Sequence, residues 1–130
     1  MRIIKKLFGG SEKNKKKNRS LINWVPLTSK EQLKEIEELS TKKTVAIFKH
    51  STRCGISNVV IKRFESSFDA SLKNFSIYYL DLLKFREVSD EIAHKFGVIH
   101  QSPQLIILKN KEVTAHASHY DINEIDLKKN

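Results

Sequence analysis

At 130 residues, 39% of them hydrophobic, the chain can build one domain with a core of its own, and its single cysteine excludes an internal disulfide. No run of about 18 apolar residues is present to cross a bilayer, and the apolar stretch of MRIIKKLFGG is too short for a secretory signal, which points to a cytoplasmic protein in a reducing compartment. The formal charge of +9 raises nucleic acid as a partner, but residues 1–20 hold eight Lys or Arg against Glu12 alone, which is +7 of the total, so a basic nucleic-acid surface on the domain is not indicated.

Residues 1–20, rich in Lys, Asn, Gly and Ser, lack the apolar content to order themselves and read as a disordered tail, with residues 21–130 as the folded domain. Ile3, Ile4, Leu7 and Phe8 recur among Arg2, Lys5 and Lys6 at helix-like spacing, a pattern suited to weak contact with an anionic membrane surface. The bland alternative is a solvated extension.

Residues 23–27 read as a short strand, and Thr28, Ser29, Glu31 and Gln32 supply overlapping capping-box spacings ahead of Leu33, Ile36 and Leu39 at helical intervals. Residues 44–49 are β-branched and aromatic enough for a buried strand. A helix begins near Cys54, its core face marked by Ile56, Val59, Val60, Phe64 and Phe68. Residues 75–80 form a third strand, followed by Val88, Ile92 and Phe96 in steps of four, with Gly97 placed to end that helix. Residues 104–108 and 112–117 are two strands at hairpin spacing, and Asp121 can cap a last short helix through Ile122, Ile125 and Leu127. Three successive βα units require parallel pairing with right-handed crossovers, and the terminal hairpin adds antiparallel strands at one side. The expected class is α/β, a mixed central sheet with helices on both faces.

Functional groups in such sheets gather at the carboxyl ends of the parallel strands, and Cys54 lies just past one of them. A thiol at the first turn of a helix faces unpaired backbone N–H groups and the positive end of the helix dipole, both of which favour thiolate. Arg53, Lys49 and His50 are candidates for added positive potential there, against ordinary surface solvation. Thr52 and Ser57 can hydrogen-bond a thiolate or cap the helix. Pro103 directly precedes an apolar strand and so belongs at that strand's start or edge. His94, His100, His116 and His119 are spread over different elements, His116 with His119 is weak metal-ligand spacing alone, and there is no Gly-rich phosphate loop; neither a metal site nor a nucleotide site is expected.

The element order, the cysteine opening the second helix and the Gly97, Val98, Pro103, strand sequence together resemble the thioredoxin fold. That resemblance implies a cis bond between Ser102 and Pro103, with the proline beside the active-site cysteine and the preceding backbone free to pair with a bound peptide or thiol. The segment KHSTRCGIS further resembles the active-site loop of the YtxJ family of monothiol bacilliredoxins. His50, Ser51, Thr52, Arg53, Cys54, Ile56 and Ser57 match its usual pattern, and Gly55 stands where that pattern has proline, which loosens the first helical turn.

The family resemblance implies a monothiol thiol-disulfide oxidoreductase that removes bacillithiol from protein mixed disulfides through Cys54. Its co-substrate would be bacillithiol, its partners bacillithiolated client proteins and an external thiol reductant, and its thiol-binding residues Arg53, Thr52, Ser57, Ser102 and Pro103. Two other readings stay open. The tetrad CGIS is one residue from the CGFS loop of monothiol glutaredoxins that carry iron–sulfur clusters, although their prolines before the cysteine are absent here, and the chain could also be a redox-inactive interaction module that keeps the fold.

Overall fold

The computed structural model describes residues 22–72 and 75–129, so the expectation of a disordered tail over residues 1–20 lies outside the described residues. Five strands, β1 (Trp24–Pro26), β2 (Val45–His50), β3 (Ser76–Asp81), β4 (Gln104–Lys109) and β5 (Glu112–Ser118), alternate with three α-helices, α1 (Gln32–Ser40), α2 (Gly55–Ser67) and α3 (Arg86–Phe96). They form one sheet in the order β1-β3-β2-β4-β5. The pairs β1–β3 and β2–β3 are parallel, as the βα repeats require, and β2–β4 and β4–β5 are antiparallel.

Strand alternation divides the core between the two faces of the sheet. Ala46 and Phe48 of β2, with Ile77, Leu105 and Ile107, pack against Val60, Ile61 and Phe64 of α2. Val45 and Ile47, with Leu80, Ile106 and Leu108, pack against Leu33 and Ile36 of α1 and Val88 and Ile92 of α3. Because β2 is central and covered on both faces, all six of its residues are buried.

The local signals act through identifiable atoms. Gln32 Oε1 accepts the backbone N–H of Ser29 at 3.1 Å and of Thr28 at 2.7 Å, which is the side-chain arm of the expected capping box. Gly97 closes α3 with φ of 67°, and the next amide, from Val98, bonds to Ala93 O at 3.2 Å. The β4–β5 hairpin turns on Asn110 and Lys111, both at positive φ as a type I′ turn demands. Ser40 at the end of α1 holds that turn, its carbonyl accepting the Asn110 amide at 2.7 Å and its hydroxyl the Lys111 amide at 2.8 Å.

Two expectations need correction. The core face of α2 runs through Ser57, Val60, Ile61 and Phe64, while Ile56 and Val59 are each 41% exposed. Position 61, one step after Val60, takes the inward place that periodicity had offered to Val59. The last helix is not α-helical: two 3₁₀ segments, His119–Glu124 and Leu127–Lys129, are separated by an extended Ile125. A segment this short gains little from α-helical cooperativity, and the burial of Ile122 and Leu127 against the α2 side of the sheet decides its path instead.

Candidate active site

Parallel pairing sets the carboxyl ends of β2 and β3 side by side, with His50 opposite Asp81 and the Leu82 amide bonded to His50 O at 3.1 Å. The chain then leaves β2, turns through residues 51–53 with the Cys54 amide bonded back to Ser51 O at 3.1 Å, and enters α2. Cys54 is the N-cap residue of α2, extended at φ −100° and ψ 122°, and its side chain makes no capping hydrogen bond. Its thiol is half-buried and unbridged. The first helical bond, from the Asn58 amide, ends on Cys54 O at 3.0 Å, so the cysteine stands at the helix start, where the first backbone N–H groups have no intrahelical partner.

Ser57, three residues after Cys54, is fully buried and bridges the loop to the strand. Its hydroxyl oxygen accepts the Ser51 amide at 3.1 Å and lies 2.7 Å from His50 Nδ1. The hydroxyl and Nδ1 share one hydrogen bond whose direction is set by the imidazole tautomer. Burial pushes the His50 pKa down, against an opposing pull from Asp81, which keeps the ring uncharged at neutral pH. His50 therefore supplies no positive charge to the thiol. Ser57, the expected thiolate or cap partner, is instead committed to shaping the turn.

Lys49 takes the opposite face of β2, following Val45 and Ile47, and is 0% exposed. Its ammonium donates to Ser89 O of α3 at 3.3 Å and to His100 Nδ1 at 3.2 Å, and Ser89 Oγ is also within 3.3 Å of that nitrogen. Desolvation lowers its pKa from 10.5 to about 8, Asp90 pulling the other way. Burial first, and then the Lys49 charge, lowers the His100 pKa as well, so the imidazole is neutral and accepts. The pair fastens the segment that leads into β4, and Gln104 Nε2, bonded to Ile99 O at 2.9 Å, fastens it a second time.

The Ser102–Pro103 peptide is cis, as the fold resemblance implied, and Pro103 is buried. Gln104, the first residue of β4, pairs with Lys49, so the Ser102–Pro103 bond lies at the same end of β2 as the turn that carries Cys54. Pro103 O accepts the His119 amide at 3.0 Å, while Ser102 Oγ and Gln104 Oε1 on either side are buried without a hydrogen-bond partner. The structure thus gathers Thr52, Arg53 and Cys54 at the turn into α2, places Ser57 within the first turn of that helix, and brings Ser102 and Pro103 to the same end of the sheet. Thr52 and Arg53 are exposed. Sequence reading missed the Lys49–His100–Ser89 cluster, whose members are 40 and 51 residues apart, and the bridging role of Ser57.

The comparisons with known proteins bear on this geometry. The family model described as monothiol bacilliredoxin BrxC matches residues 25–127. The chain belongs to this family. Among solved structures, a protein proposed to be an oxidoreductase with a thioredoxin fold is similar at 32% identity and a TM-score of 0.66, covering 77% of this chain and 86% of that one. A thioredoxin from Trypanosoma brucei brucei (15% identity, TM-score 0.63, covering 78% and 86%) and thioredoxin NaTrxh from Nicotiana alata (16%, 0.62, covering 83% and 89%) share the fold. The bacilliredoxin family and the thioredoxin fold together indicate a thiol oxidoreductase, and the family implies bacillithiol as the thiol involved. Among the described residues no helix is long and apolar enough to cross a membrane, and no group of three His, Cys, Asp or Glu could hold a metal ion.

Proposed function

We propose that the protein removes bacillithiol from mixed disulfides on client proteins, with Cys54 as its only nucleophile. The thiolate sulfur of Cys54 attacks the bacillithiol sulfur. A Cys54–bacillithiol bond forms as the bacillithiol–client bond breaks, and the client leaves as a thiolate that takes up a proton. A second, external thiol then attacks the bacillithiol sulfur on Cys54, frees the enzyme and carries bacillithiol away in a new disulfide.

The observation that carries this reading is the uncapped, half-exposed Cys54 at the start of α2, with a buried and engaged Ser57 at the position where a second thiol would resolve the intermediate internally. With one cysteine in the chain, resolution comes from outside. Ile56 and Val59, exposed on α2 beside the nucleophile, offer apolar contact to a protein client. Ser102 and Pro103, at the same end of β2 as the Cys54 turn, are the residues proposed to receive the backbone of the bound chain. An ideal Cβ at Gly55 would meet nothing within 4 Å, so its match to the CGFS loop reflects no packing demand and adds no support for a cluster carrier.

Intact-mass spectrometry after incubation with oxidised bacillithiol and, separately, oxidised glutathione tests the assignment. A single bacillithiol adduct should form on Cys54 in preference to glutathione, and Cys54→Ser should lose both the adduct and all reduction of a bacillithiolated substrate. Retained turnover in Cys54→Ser, or no adduct on the wild type, overturns the reading.

A further inference from the structure

We infer that the groove beside the Cys54 turn is the binding site for the carboxylate-bearing end of the low-molecular-weight thiol. This rests on the function proposed above and assigns the part of the ligand that does not react.

The groove, about 430 Å³, is lined by Thr52, Arg53, Asp81, Leu83, Lys84 and Arg86. Its position follows from the sheet. Because His50 pairs with Asp81 and the Leu82 amide bonds to His50 O, the turn after β3 lies alongside the turn after β2 that carries Cys54. One wall is therefore the two residues directly before the nucleophile, and the other is the start of α3.

The lining holds three cations against one acid. None of Arg53, Lys84 and Arg86 forms an ion pair among the described residues, where the charged pairs are Lys95–Glu37, Lys111–Glu38 and Lys128–Asp69. Asp81 is turned to the backbone of its own loop, its carboxylate accepting the Lys84 amide at 3.4 Å. The N-cap residue of α3, Phe85, has no side-chain capping bond, so the positive end of that helix dipole lies at Arg86, with Glu87 in the same first turn opposing it. Thr52 supplies a hydroxyl, and Leu83, 36% exposed, supplies an apolar floor. Two arginines and a lysine around a small concavity suit carboxylate oxygens, which arginine can bind in a bidentate fashion. A disulfide whose reacting sulfur sits at Cys54 would place its far, anionic end here, whereas an uncharged disulfide would gain nothing from the same lining.

The test compares rates of Cys54 adduct formation by bacillithiol disulfide and by uncharged 2-hydroxyethyl disulfide, in the full chain. In Lys84→Glu/Arg86→Glu the ratio of the two rate constants should fall by about tenfold or more. Lys62→Glu, which reverses an exposed charge of α2 outside the groove, should leave the ratio within about twofold of wild type. Raising the ionic strength from about 0.05 to about 0.5 M should lower the wild-type ratio but not that of the double variant. An unchanged ratio in the double variant, in a wild type that still prefers bacillithiol disulfide, overturns the groove and leaves the enzymatic function standing. A loss seen only when bacillithiol is attached to a protein would assign the cations to an acidic client segment and refute the small-molecule site. No wild-type reaction with either bacillithiol substrate would overturn both proposals.

Discussion

Replacing Lys49 by Met should stabilise the protein near neutral pH, and the gain should vanish as the solution becomes alkaline. Lys49 is wholly buried, its ammonium faces two neutral acceptors, and its pKa falls from 10.5 to about 8. That depression corresponds to about 3 kcal/mol by which folding disfavours the charged form. Below the folded value both states are protonated and the full penalty applies. Between the folded and unfolded values the unfolded chain binds the extra proton, so wild-type stability rises with pH through this window. Integrated from about pH 7 to about pH 9.5, the gain is about 2 kcal/mol. Methionine has similar length and no charge, but it forfeits the bonds to Ser89 O and His100 Nδ1, each contributing about 1 kcal/mol net. The variant should therefore be about 1–2 kcal/mol more stable at about pH 7, raising Tm by several degrees in a domain of this size, and roughly equal to wild type at about pH 9.5. Urea unfolding of both proteins at both pH values measures the difference directly, with titrations common to the two cancelling. A variant less stable than wild type at about pH 7, or a gap that stays constant across the range, would refute the account of Lys49 as a buried, strained ammonium.

Ser57→Ala leaves the buried His50 Nδ1 and the Ser51 amide without their shared partner and should cost about 2–3 kcal/mol, read as a lower urea midpoint; a loss below about 0.5 kcal/mol would show that the bridge contributes little. Gly55→Pro places a preset φ at the first position of α2, where no neighbour obstructs a Cβ, and should add about 0.5–1 kcal/mol in thermal unfolding; a lower Tm would contradict the open geometry there. Lys111→Gly relieves a left-handed residue in the β4–β5 turn and should raise stability by about 0.5–1 kcal/mol in the same assay, whereas a drop would mean that the Lys111–Glu38 ion pair outweighs backbone strain.

The sheet and its helices were legible because their signals are local. β-branched runs marked β2 and β4, Gly97 marked the end of α3, and Gln32 marked the start of α1, and each acts through its neighbours in the chain. The parallel pairs and the β4–β5 hairpin followed from connection length, whereas the antiparallel β2–β4 pairing did not, because β4 is reached through the helix α3. The inward face of α2 was readable only to within one helical position, since Val59 and Ile61 are equally apolar and tertiary packing chose between them. The site was legible unevenly. Cys54 announced itself by its place at a strand–helix junction, while the cis bond at Pro103 came from resemblance to a fold and not from the residues themselves. Lys49 and His50 read as candidates for positive potential beside the thiol, with surface solvation as the alternative. Their burial depends on α3 and α2 closing over them from opposite faces, and nothing within the KHSTRC stretch encodes that.

β2 carries a further consequence through its position in the middle of the sheet. It is held on one edge by β3 over six pairs and on the other by β4 over five, and neither edge meets solvent. Its amides can exchange with deuterium only when the sheet itself comes apart, so they should report the global unfolding free energy and not a local opening. The platform beneath the thiol then has no low-lying loosened state to visit, and heat inactivation should coincide with melting of the whole domain instead of preceding it.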